Sequence, residues 1–481
     1  MERAQRRPFG SAAHVGPPPR RDRRKAVVAG LAVIAVVALA ACGSGTSTTK
    51  STSPSSAPPS TGGANPNVVK TLGVGVTASA INLGVALVNF DPIKQFTDTI
   101  RTEAEQKQIY GIYIDDINSH GGVNGRKIVP DYKFYAPLGT AQIVPLCTTF
   151  AQDDKDFAVV GTFIDFSGDA QTCITKQQQR ILMTFNLTQA MISQAPPGLE
   201  ITAGLIPERS ASILLELAQK QGTLKGKKVA ILGDTTESTI VNNTIKPALA
   251  KLGVARGDDA ILDVGTTGDT TNAQTQLQSF MEKWKTEGVN ALFVSGDLAS
   301  TKQFIQKVKQ EFPDMLLLGD NTDVLDQAKQ EQQAKISPNP YAGFITAGGL
   351  SPKEYDASAN WKYCADIYKK ATGRVPENAE QIIKTPDGKI DDTYGTINDA
   401  CQTLTMFHDI AEKVGPYLNN ANWQYTVDNF GPIENRGSGP YSSLHTGKYS
   451  ADDNWRLQSY DPTIPPEGNW TPLTPLQDIT G

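Results

Sequence analysis

The sequence is poor in the residues that most often build catalytic and metal sites. Its 481 residues include 4 His and 5 Cys, and aromatic side chains make up 7% of the chain. No two His residues have metal-binding spacing, and Cys-x-x-Cys, Gly-x-Ser-x-Gly and a phosphate-binding Gly-rich loop are all missing. These absences predict a protein that is not an enzyme and uses no cofactor or metal. A hydrolase that assembles carboxylates and hydroxyls in space is the remote alternative.

Basic residues are also scarce once the first part of the chain is set aside. The sequence has 45 Lys and Arg against 50 Asp and Glu, and residues 1–41 hold eight of the basic and two of the acidic residues. The rest therefore carries 37 basic against 48 acidic residues, without a basic stripe. This acidic body excludes nucleic acid as a partner. With 39% hydrophobic and 20% charged residues, it is expected to fold as a globular protein.

A long apolar run is present near the start of the chain, at residues 26–41. It follows the basic segment Arg20–Lys25 and contains sixteen uncharged residues, whereas a bilayer-spanning helix needs about 20. The order of a basic segment, a short apolar segment and small residues predicts an export signal over residues 1–41.

The segment Leu39–Cys42 reads LAAC and resembles the lipobox of bacterial lipoproteins. In that family the Cys sulfur receives a diacylglycerol group and the chain is cut just before it. The resemblance implies that Cys42 is lipidated and that the exported protein is anchored at the outer face of the cell membrane. An ordinary signal with a chance Cys and an uncleaved anchor are the alternatives.

Without Cys42 the chain has an even number of cysteines, in keeping with export to a compartment where disulfides persist. Proximity in the sequence favours the bridges Cys147–Cys173 and Cys364–Cys401 over the two crossed pairings. Buried free thiols are the alternative.

Residues 42–77 are predicted to form a tether, because Gly43–Asn67 consists almost entirely of Gly, Ser, Thr, Pro and Ala. Such a segment cannot bury enough apolar surface to fold.

From residue 78 onward, apolar runs of strand length alternate with segments of helical periodicity. The first series of predicted strands is Ile81–Val88, Ile128–Phe134, Phe157–Val160 and Ile181–Phe185, and the second is Val229–Leu232, Ala260–Val264, Ala291–Val294 and Leu316–Leu318. Each series predicts a parallel sheet with helices on both faces. The predicted fold class is therefore α/β, with two doubly wound parallel-sheet lobes joined by a hinge that the chain crosses several times. The predicted bounds are 78–203 with 350–435 for the first lobe and 204–349 with 436–481 for the second.

Asp115–Ile128 reads DDINSHGGVNGRKI and resembles the segment after the first strand and helix of type I periplasmic binding proteins of the leucine/isoleucine/valine-binding class. These proteins are the receptors of ABC importers. The likeness continues in Ile81–Val85, Phe157–Gly161, Ile181–Met183 and Val229–Asp234. The Cys147–Cys173 spacing also resembles a bridge of that family.

The resemblance implies a two-lobed protein that closes on a small polar solute of the amino-acid or amide type and then engages a membrane permease. A monomer is predicted. The alternative is a ligand sensor of the same fold, in which a membrane receptor detects closure.

The resemblance also implies which loops bind the ligand, namely those that follow the strands of the two sheets. In this sequence the implied ligand-binding residues are Asn89, Phe90, Asp91, Asp165, Phe166, Ser167, Asn186, Thr188, Glu237, Ser238, Asp297, Asn321 and Asp323.

The predicted ligand differs from that of the amino-acid binders in this family. Those proteins usually have a Ser/Thr-rich cluster at the position after Gly161 and an aromatic residue near the position of Asp297, whereas this chain has Asp165 and no such aromatic. A carboxylate in that loop repels an anionic ligand. A cationic, amide or polyol ligand is therefore expected.

Overall fold

The computed structural model describes residues 65–93, 99–137, 140–163, 168–185, 187–264, 271–296, 302–320, 324–376, 383–384, 390–391, 393–465 and 468–480. The predicted export signal, Cys42 and the tether before residue 65 lie outside the described residues. Within the described ranges, no helix has the length and apolar character needed to cross a membrane.

The strands of the described residues are short and mostly follow apolar runs of the sequence. In chain order they are β1 (Ala80–Val88), β2 (Thr99–Ile100), β3 (Lys127–Tyr135), β4 (Ala158–Gly161), β5 (Ile181–Met183), β6 (Glu200–Ile201), β7 (Lys228–Asp234), β8 (Ala255–Arg256), β9 (Ala260–Leu262), β10 (Ala291–Val294), β11 (Leu316–Gly319), β12 (Ile345–Gly348), β13 (Ile383–Lys384), β14 (Ile390–Asp391), β15 (Gly431–Pro432), β16 (Ser443–Leu444), β17 (Asn454–Asp461), β18 (Asn469–Pro472) and β19 (Gln477–Asp478).

Helices alternate with these strands along most of the chain. In chain order they are α1 (Glu103–Ser119), α2 (Thr140–Thr148), α3 (Asp169–Thr172), α4 (Gln189–Gln194), α5 (Pro207–Lys220), α6 (Ser238–Ile240), α7 (Lys246–Lys251), α8 (Thr271–Glu287), α9 (Lys302–Glu311), α10 (Val324–Gln333), α11 (Pro352–Ala357), α12 (Ala359–Thr372), α13 (Thr393–Val414) and α14 (Asn420–Asp428). Turns of π-helix continue or join some of them at Thr149–Asp153, Cys173–Gln177 and Val241–Ile245.

The first sheet has the strand order β3-β1-β4-β5-β6, and all of its strand pairs are parallel. Every residue of β1 from Leu83 to Val88 is buried, because helices cover both faces of the sheet. Helices α12 and α13 pack on α1. The first sheet and the helices packed on it, α1–α4 and α11–α14, are the first lobe.

The second sheet has the order β18-β17-β12-β11-β10-β7-β8, with β9 also paired to β7 and β19 to β17. Strands β7 to β12 are parallel, whereas β17 and β18 run antiparallel at one edge. The sequence predicts a purely parallel second sheet and no strand in this tail, but these two antiparallel strands make the sheet mixed. This sheet and helices α5–α10 are the second lobe. The predicted numerical bounds of the lobes stay a prediction.

Within the residues that the structure describes, the chain passes between the two sheets three times. The crossings follow β6, β12 and β16, at residues 202–206, 349–351 and 445–453. Two of them are hydrogen-bonded to each other, because the Thr202 N–H donates to the Tyr449 carbonyl at 2.9 Å and the Ala451 N–H donates to the Thr202 carbonyl at 2.9 Å. The crossings form the hinge of the molecule.

Two ion pairs reinforce this hinge. Arg209 of α5 donates to the fully buried carboxylate of Asp453 at 2.5 Å. Arg456 of β17 donates to Glu354 of α11 at 3.0 Å, and these hydrogen bonds lower the pKa of Glu354 to about 2. The Arg209 pair therefore joins the start of α5 to the third crossing. The Arg456 pair joins β17 to α11, which follows the second crossing.

The two disulfides predicted from the sequence are present. Cys147 at the end of α2 is bonded to Cys173, directly after α3, and Cys364 of α12 is bonded to Cys401 of α13. Each bridge joins neighbouring helices of the first lobe.

The segment that carries the family resemblance serves the fold. Thr102 caps α1 by accepting a hydrogen bond from the Glu105 N–H at 3.2 Å, and α1 ends just before the Gly-Gly turn. Asn118 then exchanges hydrogen bonds of 2.9 and 2.7 Å with the backbone of Ile128. Arg126 donates to the Thr77 carbonyl at 2.7 Å. The segment thus fixes the turn between α1 and β3.

Candidate functional site

The candidate site lies where the parallel strands of the two sheets end, because carboxyl ends of parallel strands share one edge of a sheet. Of the predicted ligand-binding residues, the structure describes Asn89, Phe90, Asp91, Thr188, Glu237 and Ser238. The others lie outside the described residues: Asp165, Phe166, Ser167, Asn186, Asp297, Asn321 and Asp323.

After β1 the chain turns across the end of β3. The Asn89 N–H donates to the Tyr135 carbonyl at 2.8 Å, and the Asn89 side-chain oxygen accepts from the Asp91 N–H at 3.0 Å. Asp91 itself is exposed, and Phe90 packs partly on the core of the lobe. Asn89 is therefore occupied with the turn, while the Asp91 carboxylate faces solvent.

The ends of β4 and β5 are joined through a buried threonine. The Phe163 N–H donates to Thr184 Oγ1 at 3.0 Å, and Thr184 is 2% exposed. The Tyr135 hydroxyl donates to the Thr162 carbonyl at 3.0 Å. Thr188, a predicted ligand residue, caps α4 by accepting from the Met191 N–H at 3.2 Å, so its hydroxyl supports the helix.

In the second lobe, Asp234 organises the loop after β7. One of its carboxylate oxygens accepts hydrogen bonds from the Thr236 N–H at 2.7 Å and from the Glu237 N–H at 3.3 Å. The half-buried Glu237 side chain packs against the backbone of Gly296, just beyond β10. The Ser238 hydroxyl donates to the Thr235 carbonyl at 2.8 Å. The structure thus brings the ends of β7 and β10 together at Glu237.

Asp320 has the same role at the end of β11. Its carboxylate accepts from the Gly296 N–H at 2.9 Å, and its carbonyl accepts from the Ser210 hydroxyl of α5 at 3.3 Å. The start of α5 therefore lies against the carboxyl edge of the second sheet. Asp234 and Asp320 were not among the predicted residues, although each directly follows an apolar strand run, and that position was the signal that could have identified them.

A cavity of about 360 Å³ lies at the hinge, where Gly349 and Leu350 follow β12. Tyr355, Tyr394, Asn398, Asp452 and Asn454 are among its other lining residues. Its volume is within the range of small-ligand sites. This cavity was not predicted from the sequence, because its walls come from four segments that are far apart in the chain.

The polar groups of this cavity are partly engaged with one another. The Tyr355 hydroxyl donates to the Asn398 side-chain oxygen at 2.6 Å. Asp452 accepts from the Asn454 N–H at 3.0 Å, and burial raises the pKa of Asp452 to about 6. Together with the strand ends, the cavity offers amides, hydroxyls and carboxylates, which hold polar solutes by hydrogen bonds.

No family model and no curated protein sequence matches this chain. Solved structures do match its fold. One match is the leucine-, isoleucine-, valine-, threonine- and alanine-binding protein of Brucella ovis in its closed conformation. Its TM-score is 0.57 at 13% sequence identity, and the match covers 82% of this chain and 95% of the Brucella chain.

Two other matches have different ligands. The ABC-transporter solute-binding protein of Rhodopseudomonas palustris BisB5, in complex with 3,4-dihydroxybenzoic acid, has a TM-score of 0.52 at 14% identity, with 83% and 97% of the two chains covered. The fatty acid ABC transporter substrate-binding protein of Thermomonospora curvata has a TM-score of 0.52 at 16% identity, with 85% and 95% covered. These likenesses confirm the predicted fold, that of type I periplasmic binding proteins.

Proposed function

We propose that this protein is an exported, lipid-anchored solute-binding protein that encloses a small polar solute between its lobes and delivers it to an ABC importer. The observation that supports this most directly is the fold, which the chain shares over more than four fifths of its length with solute-binding proteins. Fold alone does not carry function. The polar strand ends and the hinge add the chemistry and the motion that such a role needs.

The hinge supports closure of the lobes on a ligand. Three crossings, two of which are hydrogen-bonded to each other, restrict the lobes to a bending motion about a common axis, whereas a single linker would let them separate freely. The hinge cavity is lined by Gly349 and Leu350, which follow β12, and by Tyr355 and Tyr394 of the first lobe. Closure about the crossings then buries a solute between the two sheet edges.

The charge at the strand ends supports a ligand with hydrogen-bond donors or positive charge. The short stretches that follow β1, β4, β7, β10 and β11 contain one basic residue, Lys94, and seven acids, namely Asp91, Asp98, Asp165, Glu237, Asp297, Asp320 and Asp323. Bringing carboxylates together without a partner costs free energy, which a cationic or donor-rich ligand offsets. We therefore expect amines, amides or polyols to bind more tightly than carboxylic acids.

Calorimetry and thermal-shift screening of the purified protein against small metabolites test this proposal. A true ligand at 100 times its Kd should stabilise the protein by about 2.7 kcal/mol. Asp165→Asn and Glu237→Gln should each weaken a cationic ligand about tenfold or more. Asp115→Asn is the matched control, because Asp115 is an exposed acid near the end of α1, at the opposite edge of the sheet. Tight binding of an anion that neither variant affects would contradict the proposed ligand class.

Lipidation is tested at Cys42. Cys42→Ala should release the protein from the membrane fraction and remove the mass of the lipid from its amino terminus. Membrane association that survives the substitution, with the apolar segment still attached, would indicate an uncleaved anchor instead.

The permease and the receptor are distinguished in the cell. Once a ligand is known, deletion of the gene should abolish uptake of that ligand at low concentration if the partner is an importer. Normal uptake with a lost transcriptional response to the ligand would favour the sensor.

A further inference from the structure

A second polar site is present at the opposite edge of the first sheet, away from the strand carboxyl ends. Asp131 lies on β3, Asp154 follows the π-helical turn after α2, and Asp156 comes just before β4. One carboxylate oxygen from each of the three lies within 4.8 Å of the other two. Three acids from separate elements therefore converge on one point.

Asp156 has the least favourable position of the three. It is 1% exposed, and neither of its carboxylate oxygens has a hydrogen-bond partner among the described residues. Gly84 of β1 leaves the room for this carboxylate, since a Cβ atom there would lie 3.0 Å from Asp156 Oδ2. A buried carboxylate without a partner costs several kcal/mol. The geometry thus includes a buried acceptor directed at the other two acids.

Neighbouring cations do not complete this site. Lys133 Nζ lies 2.9 Å from Asp131 and 3.0 Å from Asp154, but it forms no contact of that kind with Asp156. The Arg180 side chain donates instead to backbone carbonyls of Ala151 and Gln178. Three carboxylates are thus opposed by two cationic side chains, and the buried carboxylate is bound by neither.

We propose that Asp131, Asp154 and Asp156 bind a hard divalent cation, for which Ca²⁺ has the best size. Ca²⁺ binds oxygen at about 2.3–2.6 Å, so one ion can contact three oxygens that lie within 4.8 Å of one another. The side chains of Asp131 and Asp154 are 29% and 34% exposed, which leaves a path for the ion and for water ligands. Lys133, which contacts Asp131 and Asp154 in this structure, would move aside on its flexible stem when the ion binds. The ion would tie together β3, the turn after α2 and the start of β4.

The site is independent of the proposed function, because it is formed by the middle of β3 and the chain just before β4, away from the strand carboxyl ends. The test is thermal melting and calorimetry of the purified full chain, first stripped with a chelator, against CaCl₂ up to about 5 mM, with NaCl of equal ionic strength as reference. We expect a rise of a few degrees in Tm and a Kd on the order of 10⁻⁴ to 10⁻³ M.

Variants identify the site. Asp156→Asn and Asp131→Asn should weaken Ca²⁺ binding at least about tenfold, whereas Asp153→Asn, which changes an exposed acid next to the cluster, should bind as the unchanged protein does. If Asp156→Asn does not fold, Asp131→Asn and Asp154→Asn provide the same comparison.

Two outcomes would overturn the proposal. An absent response to Ca²⁺ would mean that the buried carboxyl is satisfied by a proton. An equal response in the cluster variants and in Asp153→Asn would mean that the ion binds elsewhere.

Discussion

Glu200 places a carboxyl group in the interior of the first lobe. It belongs to β6, is 1% exposed, and burial raises its pKa to about 7 from an ordinary value of 4.5. The folded protein therefore holds a proton that the unfolded chain releases above pH 4.5. The stability that depends on this proton is complete below pH 4.5 and is lost as the pH rises through 7.

Glu200→Gln should remove this pH dependence. Relative to the variant, the free energy of unfolding of the unchanged protein should fall by roughly 3 kcal/mol between pH 4.5 and pH 7.5, because the pKa differs by more than two units between the two states. Urea unfolding of both proteins across this range measures the difference. Parallel curves for the two proteins would contradict the prediction.

Gly161 ends β4 and begins the loop toward the candidate site. Its φ is +111°, and a Cβ atom there would lie 2.4 Å from the Ala86 carbonyl oxygen. Gly125 also has a positive φ, +80°, but a Cβ atom there has nothing within 4 Å. Gly161→Ala should therefore destabilise the protein by about 2 kcal/mol more than Gly125→Ala, as measured by urea unfolding. Equal losses would mean that backbone strain, rather than the contact with Ala86, determines the cost.

Among the elements, the apolar parallel strands could be predicted from the sequence and the antiparallel edge of the second sheet could not. The predicted runs Ile81–Val88 and Ala291–Val294 are strands within a residue of their predicted bounds, because strands covered on both faces are continuously apolar. Strand β17 reads NWRLQSYD, and its Asn454, Arg456 and Gln458 are buried although they are polar. The Asn454 side chain donates to Ser438 and the Arg456 side chain to Glu354, both outside β17, and no local periodicity signals such partners.

The site was less predictable than the fold for a related reason. Of the predicted residues that the structure describes, Asn89 and Thr188 support a turn and a helix cap. Asp234 and Asp320 order the loops of the second lobe through backbone hydrogen bonds. A sequence shows that a polar residue follows a strand. It does not show whether the loop or a ligand takes its hydrogen bonds.

Each disulfide links a pair of helices in the first lobe. They close loops of 26 and 37 residues, which in the chain-entropy model stabilise the folded state by roughly 3 to 4 kcal/mol each. Replacing Cys147 and Cys173 together by Ala should lower the free energy of unfolding by about that amount, and the Cys364/Cys401 pair should have a similar effect. Guanidinium unfolding under non-reducing conditions measures both. If the unchanged protein had the same free energy of unfolding with and without reductant, the bridges would contribute nothing to stability.

On the scale of the whole molecule, the hinge ion pairs couple the two lobes. Arg456 is 4% exposed and joins β17 of the second sheet to Glu354 of the first lobe. Arg456→Met should make the lobes unfold more independently, because it removes a buried contact that both lobes share. Hydrogen exchange measured by mass spectrometry should show a wider gap between the protection of β1 and that of β10.

The control for this prediction is Lys283→Met, which removes the exposed ion pair of Lys283 with Asp258 within the second lobe. This substitution should leave the difference in hydrogen-exchange protection between β1 and β10 unchanged. An equal change in both variants would mean that the hinge pair has no special coupling role.

The three crossings also determine the order in which the molecule can be completed during synthesis. The parallel strands of the second sheet, β7 to β12, come from one uninterrupted stretch of chain, whereas the core of the first lobe needs α12, α13 and residues up to Ala451. Contacts that close long loops form slowly. The strands of the first sheet are therefore synthesised first, but the core of that lobe is completed only after β7 to β12 have been made, and α1 waits for more than 250 residues of later chain before α13 can pack on it.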